Sequence, residues 1–273
     1  IMTKNLDNDG LRSIVESYDI FYIDLWGVVH NGITLHKNAI KALEEITQAN
    51  KDYVLLTNAP RPNKTVNSFL EKMGMSKEIR EKVYSSGEAS LNYLKKNSLE
   101  EKFYHVGPPR DFDLFLDFKE NKTIDIKECT YLLCTGLFEE QGENLNYYKK
   151  LFKDHINKKM ICTNPDLIVD RGKKRELCAG SVALVFEKLG GKVIYFGKPF
   201  PEVYNQAINN HGKKVLSIGD NLNTDIKGAN LLNYDSLIIS NGVHRDEIKK
   251  EGIDVVSKKY EVVVNFMQTE LKW

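Results

Sequence analysis

Short apolar runs alternate with stretches of helical periodicity along the chain. The first run, 21–23, ends at Asp24, and residues 39–49 then carry apolar side chains at helical spacing. The next run, 53–56, ends at Thr57-Asn58. Strands that alternate with amphipathic helices are typical of a parallel sheet, because parallel strands need a long crossover connection. The pattern therefore predicts an α/β fold.

The same pattern returns in the last third of the chain, after a helix predicted at 181–189. The strands predicted there are 193–196, 215–218 and 236–239. The first of them leads to Lys198 and the second to Asp220. We expect all three to belong to the sheet that the N-terminal runs begin.

Between these parts, residues 84–180 have strands and helices of their own. Strands are predicted at 102–106, 130–134 and 159–162, with a helix near 144–153. We therefore predict a three-layer αβα core domain with a Rossmann-like parallel sheet, formed by residues 1–83 and 181–273. A second α/β domain, residues 84–180, is inserted into it as a cap.

Composition and charge narrow the class of protein. The chain has 273 residues and a net charge of +1, and basic residues do not interleave with aromatic ones, so a nucleic-acid partner is not expected. No apolar run is long enough to cross a membrane, and the polar N-terminal stretch does not resemble a signal peptide. The cysteines form no C-x-x-C pair, so we interpret them as reduced structural residues and expect a cytoplasmic protein.

The polar residues at the predicted strand ends form a coherent chemical set. They are Asp24, Thr57, Lys198, Asp220 and Asp225. Ligands of open α/β sheets bind at the carboxyl ends of the strands. Carboxylates, a hydroxyl and a lysine at one such edge can hold a divalent cation and a phosphoryl group, and they leave one acid free to attack.

These motifs, in this order and spacing, resemble the haloacid dehalogenase superfamily of phosphohydrolases. The motifs are Asp24-Leu-Trp-Gly-Val, Leu56-Thr57-Asn58, Gly197-Lys198-Pro199 and Gly219-Asp220-Asn221-Leu-Asn-Thr-Asp225. Within the insertion, the stretch from Cys162 to Asp166 is similar to the substrate-facing cap loop of class IIA, the group with the NagD-type phosphatases. The resemblance covers nearly the whole chain. It implies hydrolysis of a small phosphorylated metabolite and is compatible with a homodimer.

The resemblance also implies catalytic roles. Asp24 would be the nucleophile that forms an aspartyl-phosphate. Thr57 and Asn58 would bind the phosphoryl group, and Lys198 would neutralise its charge.

A bound metal is implied as well. The Asp24 carboxylate, the Trp26 backbone carbonyl and Asp220 would hold Mg²⁺, which prefers oxygen ligands. Asn221 and Asp225 would not bind the metal but would orient the groups around it.

One position departs from the family pattern. Phosphatases of the family carry a second Asp two residues after the nucleophile, where it protonates the leaving group, and here that position is Trp26. General acid–base catalysis contributes about 10²–10⁴-fold. Alkyl phosphates are therefore expected to be poor substrates, and aryl or acyl phosphates better ones.

Three interpretations of this departure stay open. In the first, the protein is a phosphatase with a displaced acid or base, for which His30 is the candidate unless it is a surface loop residue. In the second, it is a metal-independent dehalogenase-like hydrolase, which the acidic pair at 220 and 225 disfavours. In the third, it is a phosphoryl-ligand sensor with little turnover. Asp166 and Arg171 either recognise the substrate or are solvated loop charges.

Overall fold

The computed structural model describes residues 2–273, which form three sheets. The strands are β1 (Lys4–Asn5), β2 (Ile20–Ile23), β3 (Asp52–Thr57), β4 (Val83–Ser85), β5 (Phe103–Val106), β6 (Tyr131–Cys134), β7 (Lys159–Cys162), β8 (Ile168–Arg171), β9 (Lys174–Leu177), β10 (Lys192–Tyr195), β11 (Val215–Gly219), β12 (Asp235–Ile239) and β13 (Phe266–Gln268).

Helices connect most of these strands. The α-helices are α1 (Lys37–Gln48), α2 (Asn63–Lys72), α3 (Lys77–Arg80), α4 (Ser86–Asn97), α5 (Leu145–Phe152), α6 (Ala179–Lys188), α7 (Glu202–Ala207), α8 (Lys227–Leu231), α9 (Arg245–Glu251) and α10 (Ile253–Lys259). Short 3₁₀ segments lie at Leu11–Ser13, Val15–Ser17, Pro109–Asn121, Ile126–Glu128 and Glu139–Gln141, and one π-helical turn lies at Leu222–Ile226.

The large sheet has the order β1-β13-β12-β11-β2-β3-β4, and all of its strand pairs are parallel. Strand β2, which pairs with the central strand β11, is buried on both faces. Phe21 and Ile23 pack in a core with α1 and α2, whereas Ile20 and Tyr22 pack with α7 on the other face. The predicted α/β fold with a central parallel sheet is confirmed.

A second lobe is built on the four-stranded parallel sheet β10-β7-β6-β5. Helices α5 and α6 pack on one face of this sheet, and α4 and the 3₁₀ segment 109–121 pack on the other. The strands and the helix predicted within 84–180 from periodicity are close to β5, β6, β7 and α5.

The placement of the strand near 193–196 in the large sheet is wrong. This strand, β10, pairs in parallel with β7, and Tyr195 lies opposite Cys162. The preceding helix α6 is also in the second lobe, because Phe186 packs in the same apolar core as Phe152. Periodicity identifies a strand but not the sheet that accepts it. The domain boundaries stay a prediction, and we propose that the insertion extends to about residue 196.

An antiparallel hairpin, β8–β9, extends from the second lobe to the loops at the carboxyl ends of the large sheet's strands. The Gly172 N–H at its tip donates to the carbonyl of Asn31 over 2.8 Å. Arg245 donates to Asp170 over 2.6 Å. The hairpin therefore lies across the loop that follows β2. Among residues 2–273, no helix has the length and apolar character needed to cross a membrane.

Candidate functional site

Two carboxylates meet where the strand order of the large sheet reverses. Asp24 follows β2 and Asp220 follows β11, and these neighbouring strands lead into opposite halves of the sheet. The Asp24 N–H donates to the carbonyl of Ile218 over 2.9 Å, which holds the two strand ends side by side. In open α/β sheets, ligands bind in the crevice at such a reversal.

A third carboxylate, Asp225, joins this pair, and one carboxylate oxygen from each of the three lies within 4.8 Å of the others. Burial raises the pKa of Asp24, although Lys198 opposes this effect. Burial also raises the pKa of Asp220, and the neighbouring charges of Asp24 and Asp225 raise it further. Like charges this close repel one another, so the cluster needs positive charge to stay ionised.

Lys198 supplies part of that positive charge. Its buried Nζ donates to Asp24 Oδ1 over 3.0 Å, to Asp225 Oδ1 over 2.7 Å and to the Leu56 carbonyl over 2.5 Å. Burial on its own would lower the pKa of Lys198, but the two carboxylates outweigh burial and raise it. Lys198 is therefore charged, and all three of its N–H groups are used.

Two glycines make room for the Asp220 carboxyl. Gly27 has a φ of +82°, and a Cβ added to Gly27 or to Gly242 would overlap Asp220. The Val243 N–H donates to Asp220 Oδ2 over 3.0 Å. Because glycine adopts positive φ without strain, the chain can turn tightly around this side chain.

The residues at the crevice fit a divalent cation. The carboxylates of Asp24 and Asp220 offer oxygens, which hard cations prefer. The Trp26 carbonyl, two residues after Asp24, accepts no backbone hydrogen bond from residues 2–273. Asp225 is less available, because its oxygens already accept from Lys198 and from the Asn221 N–H, over 2.7 and 3.1 Å.

Thr57 and Asn58 lie at the end of β3, on the other side of Asp24. The Thr57 hydroxyl is buried and accepts from the Ala59 N–H over 3.1 Å. Asn58 accepts from the Lys198 N–H over 2.8 Å and donates to the Lys198 carbonyl over 2.9 Å. It also donates to Asp166 over 3.0 Å. Asn58 therefore joins the core to the Lys198 loop and to the second lobe.

The indole of Trp26 packs among other planar side chains. Its ring is stacked with Phe69 at a centroid distance of 6.1 Å and an interplanar angle of 11°. The His30 ring approaches it at 4.8 Å, and the Arg171 guanidinium lies 4.9 Å from its centroid. A Cβ at Gly32 would overlap the indole. The indole is thus held in one position.

His30 is fully buried, so its interpretation as a surface loop residue is wrong. Its Nδ1 accepts from the Gly32 N–H over 2.8 Å, and its Nε2 has no hydrogen-bond partner among residues 2–273. Burial, together with the charges of His36 and Arg171, lowers the pKa of His30 to about 3. His30 is therefore neutral near pH 7 and is not an imidazolium acid there.

This burial predicts a pH-dependent stability. The folded-state pKa of about 3 lies below the ordinary value of 6.5, so the unfolded chain binds the proton first as the pH falls. Wild-type stability should fall between about pH 6.5 and 3, by at most about 4–5 kcal/mol from this residue. The variant His30→Asn keeps an acceptor for the Gly32 N–H but has no imidazole to titrate. The difference in the free energy of unfolding between wild type and this variant should therefore become smaller as the pH falls through that range.

Chemical denaturation at a series of pH values measures this effect. His211 is exposed, and His211→Asn is the matched control, which should follow the wild-type curve. A constant difference between wild type and His30→Asn from pH 7 to 4 would contradict a neutral buried imidazole.

The structure brings Asp166 and Arg171 to the same crevice. Asp166 is partly exposed beside Asp24, and burial raises the pKa of Asp166 to about 6. Its N–H donates to Asn164 over 3.0 Å, which shapes the loop between β7 and β8. Arg171 is held over Trp26 and pairs with Glu176 at 3.6 Å. Neither is a freely solvated loop charge.

Asp24 borders two cavities. One, of about 600 Å³, lies between the lobes and is lined by Trp26, Thr57 and Phe69 from the core and by Leu137 and Phe138 from the second lobe. The other, of about 380 Å³, is polar and lies beside Asp220. A phosphoryl group at Asp24 would therefore face a larger space with apolar and charged walls on one side and a smaller polar space on the other.

The β8–β9 hairpin was missed by the sequence analysis. The signal for it is Gly172, which has a φ of +60° at the first position of a two-residue turn between two short strands. Phe69 lies on α2. Its contact with Trp26 joins residues 43 positions apart, which local periodicity does not report.

Comparison with family models finds two matches. The model described as haloacid dehalogenase-like hydrolase matches residues 21–118, and one described as HAD-hydrolase-like matches residues 195–265. Together they span more than half of the chain. The unmatched stretch between them contains most of the second lobe.

Curated relatives cover most of the chain. A dihydroxyacetone phosphatase of Corynebacterium glutamicum is 24% identical over 250 residues, which is 84% of each chain. Phosphoglycolate phosphatase 2 of Arabidopsis thaliana is 24% identical over 271 residues, covering 87% of this chain and 88% of the relative. Ribonucleotide monophosphatase NagD of Escherichia coli K12 is 25% identical over 229 residues, covering 78% and 86%.

Solved structures share the whole architecture. A haloacid dehalogenase-like hydrolase from Brucella suis superposes with a TM-score of 0.83 at 27% identity, covering 96% of this chain and 98% of that one. NagD from Escherichia coli K-12 superposes with a TM-score of 0.66 at 22% identity, covering 93% and 97%. The two lobes and their connection are thus arranged as in these proteins.

Proposed function

Because the chain belongs to the haloacid dehalogenase superfamily of hydrolases, we propose that it is a phosphatase that cleaves a small phosphorylated metabolite through an aspartyl-phosphate on Asp24. The observation that carries the proposal is the position of the Asp24 carboxylate, 3.0 Å from the Lys198 ammonium and beside Asp220. The curated relatives named above are all phosphatases, which supports this reaction class.

In the proposed reaction, Asp24 attacks phosphorus and the bond to the leaving oxygen breaks. A carboxylate and a phosphate dianion repel each other, so the site must offset this charge before they can meet. Lys198 would hold the Asp24 carboxylate and offset part of the negative charge there. The Thr57 hydroxyl and neighbouring backbone N–H groups bind phosphoryl oxygens. Positioning and electrostatics of this kind supply most of the rate enhancement in phosphoryl transfer.

We propose Mg²⁺ as the metal, held by the Asp24 and Asp220 carboxylates and the Trp26 carbonyl. When bound, the cation would neutralise negative charge on the phosphate and on the attacking acid. Asp225 and Asn221 would act through their neighbours: Asp225 orients Lys198, and the Asn221 N–H holds Asp225. The second lobe would be a cap that excludes water when it covers the crevice.

Removing the metal should abolish turnover. We expect phosphate release from p-nitrophenyl phosphate to fall to background in EDTA and to return saturably with added Mg²⁺, because Lys198 alone offsets only part of the repulsion within the acidic cluster. Colorimetric assay of phosphate and p-nitrophenol measures the rate in EDTA and the rate after Mg²⁺ is added back. Activity that is undiminished by the chelator would instead indicate dehalogenase-like, metal-independent chemistry.

A second candidate function follows from Trp26. An indole does not protonate a leaving group, so the site can bind a phosphorylated ligand and turn it over slowly or not at all, as a sensor would. Saturable binding of Mg²⁺ and phosphate in calorimetry, without phosphate release from any ester tested, would favour the sensor over the phosphatase.

A further inference from the structure

The cavity beside Asp24 has an aromatic wall. Trp26 and Phe69 both line it, and both are partly exposed. Their rings are near-parallel, with a centroid distance of 6.1 Å, so the two side chains form one aromatic cluster at the cavity. Leu137 and Phe138 line the same cavity from the second lobe, so an apolar group can be enclosed between the lobes. Aromatic side chains favour other rings in stacked or edge-on contact.

This wall is rigid. The indole of Trp26 is enclosed by Gly32, by the His30 ring and by the Arg171 guanidinium. His30 also contacts Phe69, at a centroid distance of 5.8 Å. A surface that is held in place before the ligand arrives costs little ordering entropy on binding.

The cavity offers little for a second anionic group. Its basic side chains are already paired with acids of the protein: Arg61 with Asp113 at 3.4 Å, Arg110 with Glu139 at 3.1 Å, and Arg171 with Glu176 at 3.6 Å. Lys174 shares Glu176, at 3.8 Å. A carboxylate or second phosphate on the substrate would compete with these acids for the same cations. A neutral leaving group meets no such competition.

The chemistry at Trp26 also restricts the leaving group. The indole of Trp26 is not an effective acid, and the His30 ring is fully buried, with its Nδ1 accepting from the Gly32 N–H over 2.8 Å. Two carboxyls, Asp166 and Asp111, also line the cavity. Asn58 donates to Asp166 over 3.0 Å and Arg61 lies 3.8 Å from Asp111, contacts that favour the ionised carboxylates although burial opposes this. A leaving group that departs as a stabilised anion requires no proton in the transition state.

We propose that the substrate is an aryl phosphate, a monoester of a neutral phenol-type alcohol whose ring lies against Trp26 and Phe69. The inference rests on the phosphatase function proposed above. Asp24 Oδ forms a bond to phosphorus, and the phosphorus–oxygen bond to the ring breaks with its electron pair on the aryloxide. Water then attacks phosphorus, the bond to Asp24 breaks, and the proton released from that water reaches the aryloxide through solvent.

A leaving-group series with the full chain and Mg²⁺ tests the proposal. We expect kcat/KM for phenyl phosphate to exceed that for cyclohexyl phosphate by about 10²-fold or more, the factor an acid would otherwise supply. Within substituted phenyl phosphates, kcat/KM should rise steeply with the acidity of the phenol. Similar rates for phenyl and cyclohexyl phosphate, with a shallow dependence on acidity, would overturn it and indicate an acid such as Asp166.

A variant tests the wall itself. Phe69→Leu should raise KM for phenyl phosphate about three- to tenfold more than KM for acetyl phosphate, which has no ring. Phe112 is 53% exposed on the second lobe, and Phe112→Leu is the matched control, which should change neither KM. Equal effects of Phe69→Leu on both KM values would contradict the wall. If Phe69→Leu fails to fold, the wild-type series still decides.

Acetyl phosphate also separates this inference from the function on which it rests. Its leaving group is a carboxylate, which needs no acid and no aromatic wall. Hydrolysis of acetyl phosphate without an aryl preference would overturn the aryl proposal and leave the phosphatase in place. No phosphate release from any compound of the series would overturn both.

Discussion

Replacing Asp24 with asparagine should abolish phosphate release, with a loss on the order of 10⁴-fold or more, as expected when a nucleophile is removed. The amide is nearly isosteric with the carboxylate but does not form the aspartyl-phosphate. It also removes one oxygen charge from the proposed Mg²⁺ site. The measurement is steady-state turnover of p-nitrophenyl phosphate at saturating Mg²⁺, with rapid acid quench to detect a phosphorylated protein in wild type.

The fold should survive this change. Asparagine removes one of the like charges that raise the pKa of Asp220, so the thermal unfolding midpoint should hold or rise. Asp117 is an exposed acid whose Asp117→Asn variant makes the same chemical change on the second lobe, and it should retain wild-type turnover. Phosphate release by Asp24→Asn at more than a few per cent of wild type would rule out Asp24 as the nucleophile.

Replacing Lys198 with methionine should cost both activity and stability. The ammonium is buried and donates to two carboxylates and one carbonyl, so its removal leaves Asp24 and Asp225 buried without their cation. Breaking a buried ion pair on one side costs about 3–5 kcal/mol. Loss of a preorganised charge at the reacting group should reduce kcat by about 10²–10³-fold.

The stability loss has a pH signature. Without Lys198, the pKa values of the Asp24 and Asp225 carboxyls rise in the folded state, so the folded variant binds protons more readily than its unfolded chain. The loss in the free energy of unfolding relative to wild type should therefore shrink as the pH falls. Denaturant unfolding at pH 5 and pH 8 measures it. Lys95→Met, at an exposed pair with Asp117, is the control and should cost under about 1 kcal/mol. A pH-independent deficit would indicate lost packing rather than lost charge.

Much of the fold was predictable because its signals are local. Buried strands such as β2 and β11 are short, mostly apolar runs, and helices such as α1 carry apolar residues at helical spacing. Parallel strands place their carboxyl ends on one edge, so Asp24, Thr57 and Asp220 could be expected there from order alone. The structure places all three at that edge.

Other features depended on pairings between distant segments. Strand β10 satisfies its hydrogen bonds on β7 and not on the large sheet, a choice that its four residues do not encode by themselves. Lys198 therefore reaches Asp24 from the chain segment that returns from the second lobe. The burial of His30 follows from the packing of Trp26 and Phe69 against it, so its exposure could not be judged from its loop position.

The sequence by itself determined the strand and helix pattern, the parallel sheet and the acids that terminate its central strands, because each of these follows from neighbours within a few residues. Only the tertiary structure decided which sheet receives β10, what surrounds the indole at position 26, and which acids pair with the cations of the cavity. These depend on contacts between segments far apart in the chain, such as the Arg171 guanidinium over Trp26. Such contacts form only when the whole chain has packed.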